Sequence, residues 1–121
     1  NGQFILPREV IKAACNHFSD MPKATIKAST FCCGGGGGLL TDDLIELRIK
    51  GAMPRMQALK QSQENDGVNT LAAICAICKS QFSKVLPNYD FDPYMIVSVH
   101  QLVSDALVLS DKSKTKVEDS L

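Results

Sequence analysis

The side chains able to do chemistry gather in two cysteine pairs. Cys32-Cys33 is a vicinal pair that runs straight into five glycines, Gly34 to Gly38, and Cys75-Ala76-Ile77-Cys78 has the spacing that lets two sulfurs face one metal centre. Thiolates are soft ligands, and a backbone without Cβ atoms can approach a bulky inorganic group that other residues would exclude. Three chemistries are open to such a set. A single zinc ion suits Cys75 and Cys78, but it suits the vicinal pair poorly, because adjacent side chains on an extended backbone point to opposite faces. A multi-iron cluster accepts thiolates from more directions, and its sulfides would use the glycine space and the backbone N–H groups around it. A dithiol redox couple would exploit the lowered thiol pKa of a CxxC at a helix N-terminus, but it leaves Cys32, Cys33 and the glycines without a role.

The remaining candidates have plainer readings. Cys15 falls on an apolar helical stripe, as a buried core thiol would, and His17 lies off that stripe and reads as a surface histidine. His100 ends an apolar run, where it would cap a helix or stand as a donor beside the sulfurs. The glycines are flanked by strand-like residues on one side and by a helix start on the other, which leaves little room for a slack linker. No Lys-Ser or Lys-Thr follows them, and Leu39 stands where a dinucleotide-binding loop would place its last glycine, so a phosphate loop is not expected.

The elements that would position these residues follow from periodicity. Leu6 to Met21 is expected to be a helix with Pro7 in its opening turn and Val10, Ile11, Ala14, Cys15 and Phe18 on one face. Thr30 to Cys33 is expected to be a short strand. Thr41-Asp42-Asp43 supplies a capping hydroxyl and two carboxylates for a second helix, whose apolar face carries Ile45, Ile49, Ala52, Met53, Met56 and Leu59, with a kink expected near Lys50 or Gly51 because of Pro54. Arg48, Lys50 and Arg55 would form its solvated face, or steady the charge of an anionic cluster. Glu64 to Gly67 ends that helix. Val68 to Ile74 reads as a buried strand, Ala76 to Leu86 as the next helix with Pro87 stopping it, Met95 to Val99 as a third strand, and Gln101 to Leu109 as a last helix. Strands alternating with helices give an α/β class, a small three-layer Rossmann-like fold with a mostly parallel sheet flanked by helices. In such sheets ligands gather beyond the carboxyl ends of the strands, so both cysteine pairs and His100 are expected at one pole.

Composition bounds the rest. A chain of 121 residues is one domain's worth, here expected over residues 1–109, with 110–121 a disordered polar tail. Thirteen basic residues balance thirteen acidic ones, which leaves no overall field to draw in nucleic acid. No apolar run approaches the ~20 residues of a membrane span, so membrane contact is expected only through partners. Five cysteines, an odd number grouped beside glycine and alanine, fit a reducing compartment better than a disulfide framework. The opening Asn1-Gly2-Gln3-Phe4 has neither an initiator methionine nor a basic and apolar leader, and reads as mid-protein.

Cys32-Cys33-Gly34 followed by Cys75-x-x-Cys78 resembles the cysteine-rich CCG domain found in the B-type polypeptide of heterodisulfide reductase and its relatives. The likeness extends through Thr30 to Asp42, Gly51-Ala52-Met53-Pro54-Arg55-Met56-Gln57-Ala58-Leu59, Ala72 to Phe82 and Ser98-Val99-His100-Gln101-Leu102-Val103, which is nearly all of the expected domain. The resemblance implies a [4Fe-4S]-type catalytic cluster, cubane or non-cubane, at Cys32, Cys33, Cys75 and Cys78 beside Gly34 and Gly35, with Cys32 and Cys33 at the catalytic edge. It also implies an oxidoreductase subunit on the cytoplasmic face of a quinone-linked membrane complex, with a cytochrome b-type membrane partner. Its substrate would be a disulfide or trisulfide of a small sulfur-carrier protein in dissimilatory sulfur metabolism. The family pattern has another cysteine some thirty to forty residues before the vicinal pair, and it carries ferredoxin-like cysteine motifs; neither is present here. The chain is therefore expected to be the C-terminal piece of a longer subunit, inactive alone. The alternative from another class is a non-catalytic zinc-binding interaction module.

Overall fold

The computed structural model describes residues 2–108, so the expected tail from 110 to 121 lies outside the described residues. Four helices and two strands follow in the order α1 (Leu6–Ala14), α2 (Ile45–Asp66), β1 (Leu71–Ala73), α3 (Ala76–Val85), β2 (Ile96–Ser98) and α4 (Val99–Ala106), with short 3-10 turns between them. The strands pair in parallel, Leu71 opposite Ile96 and Ala73 opposite Ser98, with α3 as the crossover. This is a small α/β fold whose parallel sheet is flanked by helices, as expected, but the sheet has two strands among the described residues rather than three. Thr30 to Cys33 is extended and joins no ladder.

α2 organises the molecule. It is 22 residues long and ends at Gly67, whose left-handed φ of 65° is open to glycine at no steric cost. Ala52, Met56 and Leu59 are buried along its inner face. They pack with Leu71 and Ala73 of β1, with Phe82, Val85 and Leu86 at the end of α3, and with Ile96 of β2 to form one core that also takes in Cys33. The helix runs unbroken through Pro54, which lacks the N–H that the Lys50 carbonyl would otherwise receive. Met53 was expected on the inner face and is exposed instead. α3 stops at Val85 and tightens into a 3-10 turn containing Pro87. α4 starts earlier than the sequence suggests, because the Ser98 hydroxyl accepts the Gln101 backbone N–H at 3.1 Å and serves as its cap.

α1 is shorter than expected. It ends at Ala14, and Cys15 turns extended. The segment that follows is fixed by Asp20, which accepts from Arg8 at 2.6 and 3.1 Å and from the Met21 backbone N–H at 3.0 Å. Burial disfavours the Asp20 carboxylate, but the Arg8 hydrogen bonds and charge outweigh that effect and leave its pKa below the ordinary 3.8. A depressed carboxyl stabilises the fold above the unfolded pKa and loses that contribution as pH falls through the folded value. Urea midpoints should therefore drop below about pH 3.8 by an amount that Asp20→Asn abolishes, roughly 1 kcal/mol for a pair this accessible.

Candidate metal centre

The site lies where β1 ends. Its carboxyl end delivers Ile74 and Cys75, Cys75 is the N-cap of α3, and Cys78 falls on the first turn of that helix. The Cys75 thiol is drawn below its ordinary pKa by the free backbone N–H groups of Cys78 and Ile77, as a helix N-terminus does for any anion. Cys78 is half-buried and its thiol is pushed up to about 12, first by desolvation and then by the neighbouring Cys33 and Cys75 sulfurs. Without a cation, then, the inner sulfur resists ionisation, whereas metal coordination deprotonates a thiol outright.

Cys33 reaches this place from 42 residues upstream of Cys75 because the glycine loop is clamped between two helices. Gly34, with φ +85°, lies so close to α2 that a Cβ there would stand 2.9 Å from the Ala52 nitrogen and the Gly51 carbonyl carbon. A Cβ on Gly35 would stand 2.8 Å from the Cβ of Gln81. Gln81, fully buried on α3, donates to the carbonyls of Cys33 at 3.0 Å and Arg48 at 3.2 Å, and accepts from Arg48 Nε at 2.8 Å. Arg48 also donates to the Thr41 carbonyl at 3.1 Å, so one buried chain of hydrogen bonds ties both ends of the glycine loop. Gly36 meets nothing within 4 Å. Gly35→Ala should cost about 1–3 kcal/mol through overpacking, while Gly36→Ala, at an ordinary φ in open space, should leave the urea midpoint within a few tenths of a kcal/mol.

Cys33, Cys75 and Cys78 line one cavity of about 1270 Å³ between the core and the α1 segment, together with Cys15, Phe31 and Arg55. Cys32 is exposed, and its Sγ accepts the Gly34 N–H at 3.3 Å. Three of the four expected ligands thus share one cavity, and Cys32 stands beside Cys33 outside its lining; Cys33 and Cys78 are the less exposed sulfurs, Cys32 and Cys75 the exposed ones. Among the described residues, no three His, Cys, Asp or Glu side chains converge as one small ion requires. A donor set of spread sulfurs beside a helix N-terminus, opening on a cavity of this size, fits a body larger than an ion, the cluster class rather than zinc.

His100 is exposed and lies with Leu6, Val10, Ile74 and Val103 along a second groove that shares Gln3, Pro7 and Ile74 with the cysteine cavity. One expectation is corrected. Arg48 and Arg55, read as solvated, are 2% and 7% exposed. Only Lys50 of the three is on the surface. Gln81 is the residue that sequence reasoning missed; Arg48 and Arg55 were named, with a role beside an anionic cluster as the second reading, but their burial was not foreseen. The signal available was Gly34-Gly35, since glycines that permit a close approach imply a covering strand over some polar face.

No helix among the described residues is long and apolar enough to cross a membrane. No family model and no solved structure matches the chain. It is 43% identical over 104 residues to the Hdr-like menaquinol oxidoreductase iron-sulfur subunit 2 of Archaeoglobus fulgidus, which covers 86% of this chain and 19% of that protein. It is also 43% identical over 104 residues to the Hdr-like menaquinol oxidoreductase iron-sulfur subunit of Archaeoglobus profundus, covering 86% of this chain and 18% of that one. The chain spans about a fifth of the length of the curated relatives it matches. Over most of its length, then, this chain is similar to one segment of the iron-sulfur subunits of Hdr-like menaquinol oxidoreductases.

Proposed function

We propose that the chain is the CCG domain of a heterodisulfide reductase-like subunit, holding an iron-sulfur cluster of the [4Fe-4S] class, cubane or non-cubane, on Cys32, Cys33, Cys75 and Cys78. The observation that carries this reading is the meeting of Cys33 with Cys75 and Cys78 at one cavity, in a chain 43% identical to proteins named as iron-sulfur subunits. When bound, such a cluster exchanges one electron at a time and can divide a two-electron sulfur-sulfur cleavage into single steps. The protein supplies the setting. Gly34 and Gly35 let the Cys33 backbone sit against α2 and α3, the α3 N-terminus stabilises negative charge, and the exposed Cys32 and Cys75 mark the edge open to substrate.

The reaction we propose is reduction of a disulfide, or of a trisulfide on a small sulfur-carrier protein, with two electrons and two protons taken up per sulfur-sulfur bond broken. A quinol delivers that complement through a cytochrome b-type membrane protein of the same complex, with this domain on the cytoplasmic face, and the reverse direction oxidises the thiols. The finer assignment is to the K subunit of the membrane complex associated with dissimilatory sulfite reductase. Anaerobic reconstitution of the full-length subunit with iron and sulfide, followed by metal analysis and EPR with and without a thiol substrate, tests the reading. Stoichiometric iron and a thiol-sensitive signal are expected. Zinc at the four cysteines, or a folded subunit that takes no iron there, overturns it in favour of an interaction module.

A further inference from the structure

Three arginines in the structure have polar partners of different kinds. Arg8 is paired with the Asp20 carboxylate, and Arg48 is held by Gln81, the Thr41 carbonyl and, at 3.8 Å, Asp42. Arg55 is different. Its Nε and Nη2 both donate to a single acceptor, the Phe31 carbonyl, at 3.1 and 2.7 Å, and no carboxylate lies within ion-pair distance among the described residues. It is nevertheless 93% buried. A guanidinium has five N–H donors and keeps its proton in proteins. Here two nitrogens share one carbonyl and, among the described residues, no buried nitrogen is left without a partner, so the remaining donors open on the cavity, and the charge has no carboxylate opposite it. Burying such a charge alone is strongly unfavourable, unless negative charge occupies the space it faces.

What it faces is the cysteine cavity, whose wall it forms together with Cys33, Cys75 and Cys78. Burial lowers its pKa, and the groups that act against this are Asp20, already paired with Arg8, and then Cys32, Cys33 and Cys78. The carbonyl it holds belongs to the residue just before Cys32, so the same side chain also fixes the entry to the vicinal pair.

We infer that Arg55 is the fixed counter-charge of the four-cysteine site, a positioning residue that makes the site easier to reduce. The inference rests on the cluster reading above. Each electron added makes the site more negative by one unit, and a cation held at constant distance in a poorly solvated wall favours that state more than solvent would.

The test compares midpoint potentials in the reconstituted full-length subunit, following the EPR signal that Cys78→Ala removes. Iron content is measured first. Arg55→Met should lower the equilibrium constant for reduction at least tenfold, about 59 mV for one electron, while Arg55→Lys, which keeps the charge, should stay within threefold of the parent. Equal potentials in Arg55→Met and the parent at equal iron content overturn the counter-charge role while leaving the cluster reading intact. A Lys variant as low as the Met variant also overturns it, because shape rather than charge would then be at work. Absence of iron from the parent overturns both readings. If Arg55→Met fails to load, Arg55→Gln, which can still donate to the Phe31 carbonyl but carries no charge, decides instead: a fall of at least tenfold in the equilibrium constant for reduction supports the inference, and a value within threefold of the parent overturns it.

Discussion

Gln81→Ala should lower the unfolding free energy by about 3–5 kcal/mol. The amide is fully buried and makes three hydrogen bonds, one of them from a charged guanidinium. Truncation strands Arg48 Nε and the Cys33 carbonyl away from water, at about 1–3 kcal/mol for each unsatisfied group, with partial relief where water enters, while the Arg48 carbonyl keeps its place in the α2 ladder. It also opens space beneath Gly35. Ser83→Ala on the same helix, exposed and bonded only to the Ser80 carbonyl, is the control and should change stability by less than about 0.5 kcal/mol. Urea unfolding with matched m-values reads both. A loss below about 1 kcal/mol for Gln81→Ala would mean that the buried chain from Thr41 to Cys33 does not hold the glycine loop.

Cys33→Ala and Cys78→Ala should each reduce bound iron at the CCG site of the reconstituted full-length protein to less than about a tenth of the parent value, and with it any thiol-dependent oxidation of the cluster. These are the less exposed sulfurs of the two motifs. Cys15→Ala should leave iron content unchanged even though Cys15 lines the same cavity, because it lies just past α1, outside the two cysteine motifs. Metal analysis with EPR checks the series. Unchanged iron in both Cys33→Ala and Cys78→Ala would remove the four-cysteine assignment, and a loss in Cys15→Ala would add a ligand to it.

The parts of this fold that could be read from the chain were those set by local periodicity. α2 is legible because Ala52, Met56 and Leu59 recur at helical spacing up to a glycine that can adopt a left-handed turn, and α3 because Cys75 follows an apolar strand directly. Most of what was misread depended on contacts between distant segments. Thr30 to Cys33 has strand-like residues but finds no ladder, because the Gly34–α2 approach places it against a helix instead. Arg48 and Arg55 fall at helical spacing with Ala52, Leu59 and Ser62 on the buried face of α2, and were misread because their charge was weighed above that spacing. Gln81 looks like an ordinary surface residue of an amphipathic helix until Cys33 arrives from 48 positions away. The gathering of Cys33 with Cys75 and Cys78 was legible from the motif, whereas the exposure of Cys32, with its sulfur accepting the Gly34 N–H, was not.

The bond between Gln81 and the Cys33 carbonyl spans 48 residues and is made entirely by protein groups. Closing a flexible loop of that length costs on the order of 3 kcal/mol in chain entropy. Folding has already met that cost before any inorganic group arrives, so a ligand that bridges Cys33 to Cys78 does not have to bring distant chain segments together. Its affinity should exceed that of the same cysteines on an unfolded chain by roughly a hundredfold from this term alone, since each 1.4 kcal/mol is a factor of ten. Assembly of the site then becomes a loading step onto a prepared frame, and its rate should track delivery of iron and sulfide rather than the refolding of the polypeptide.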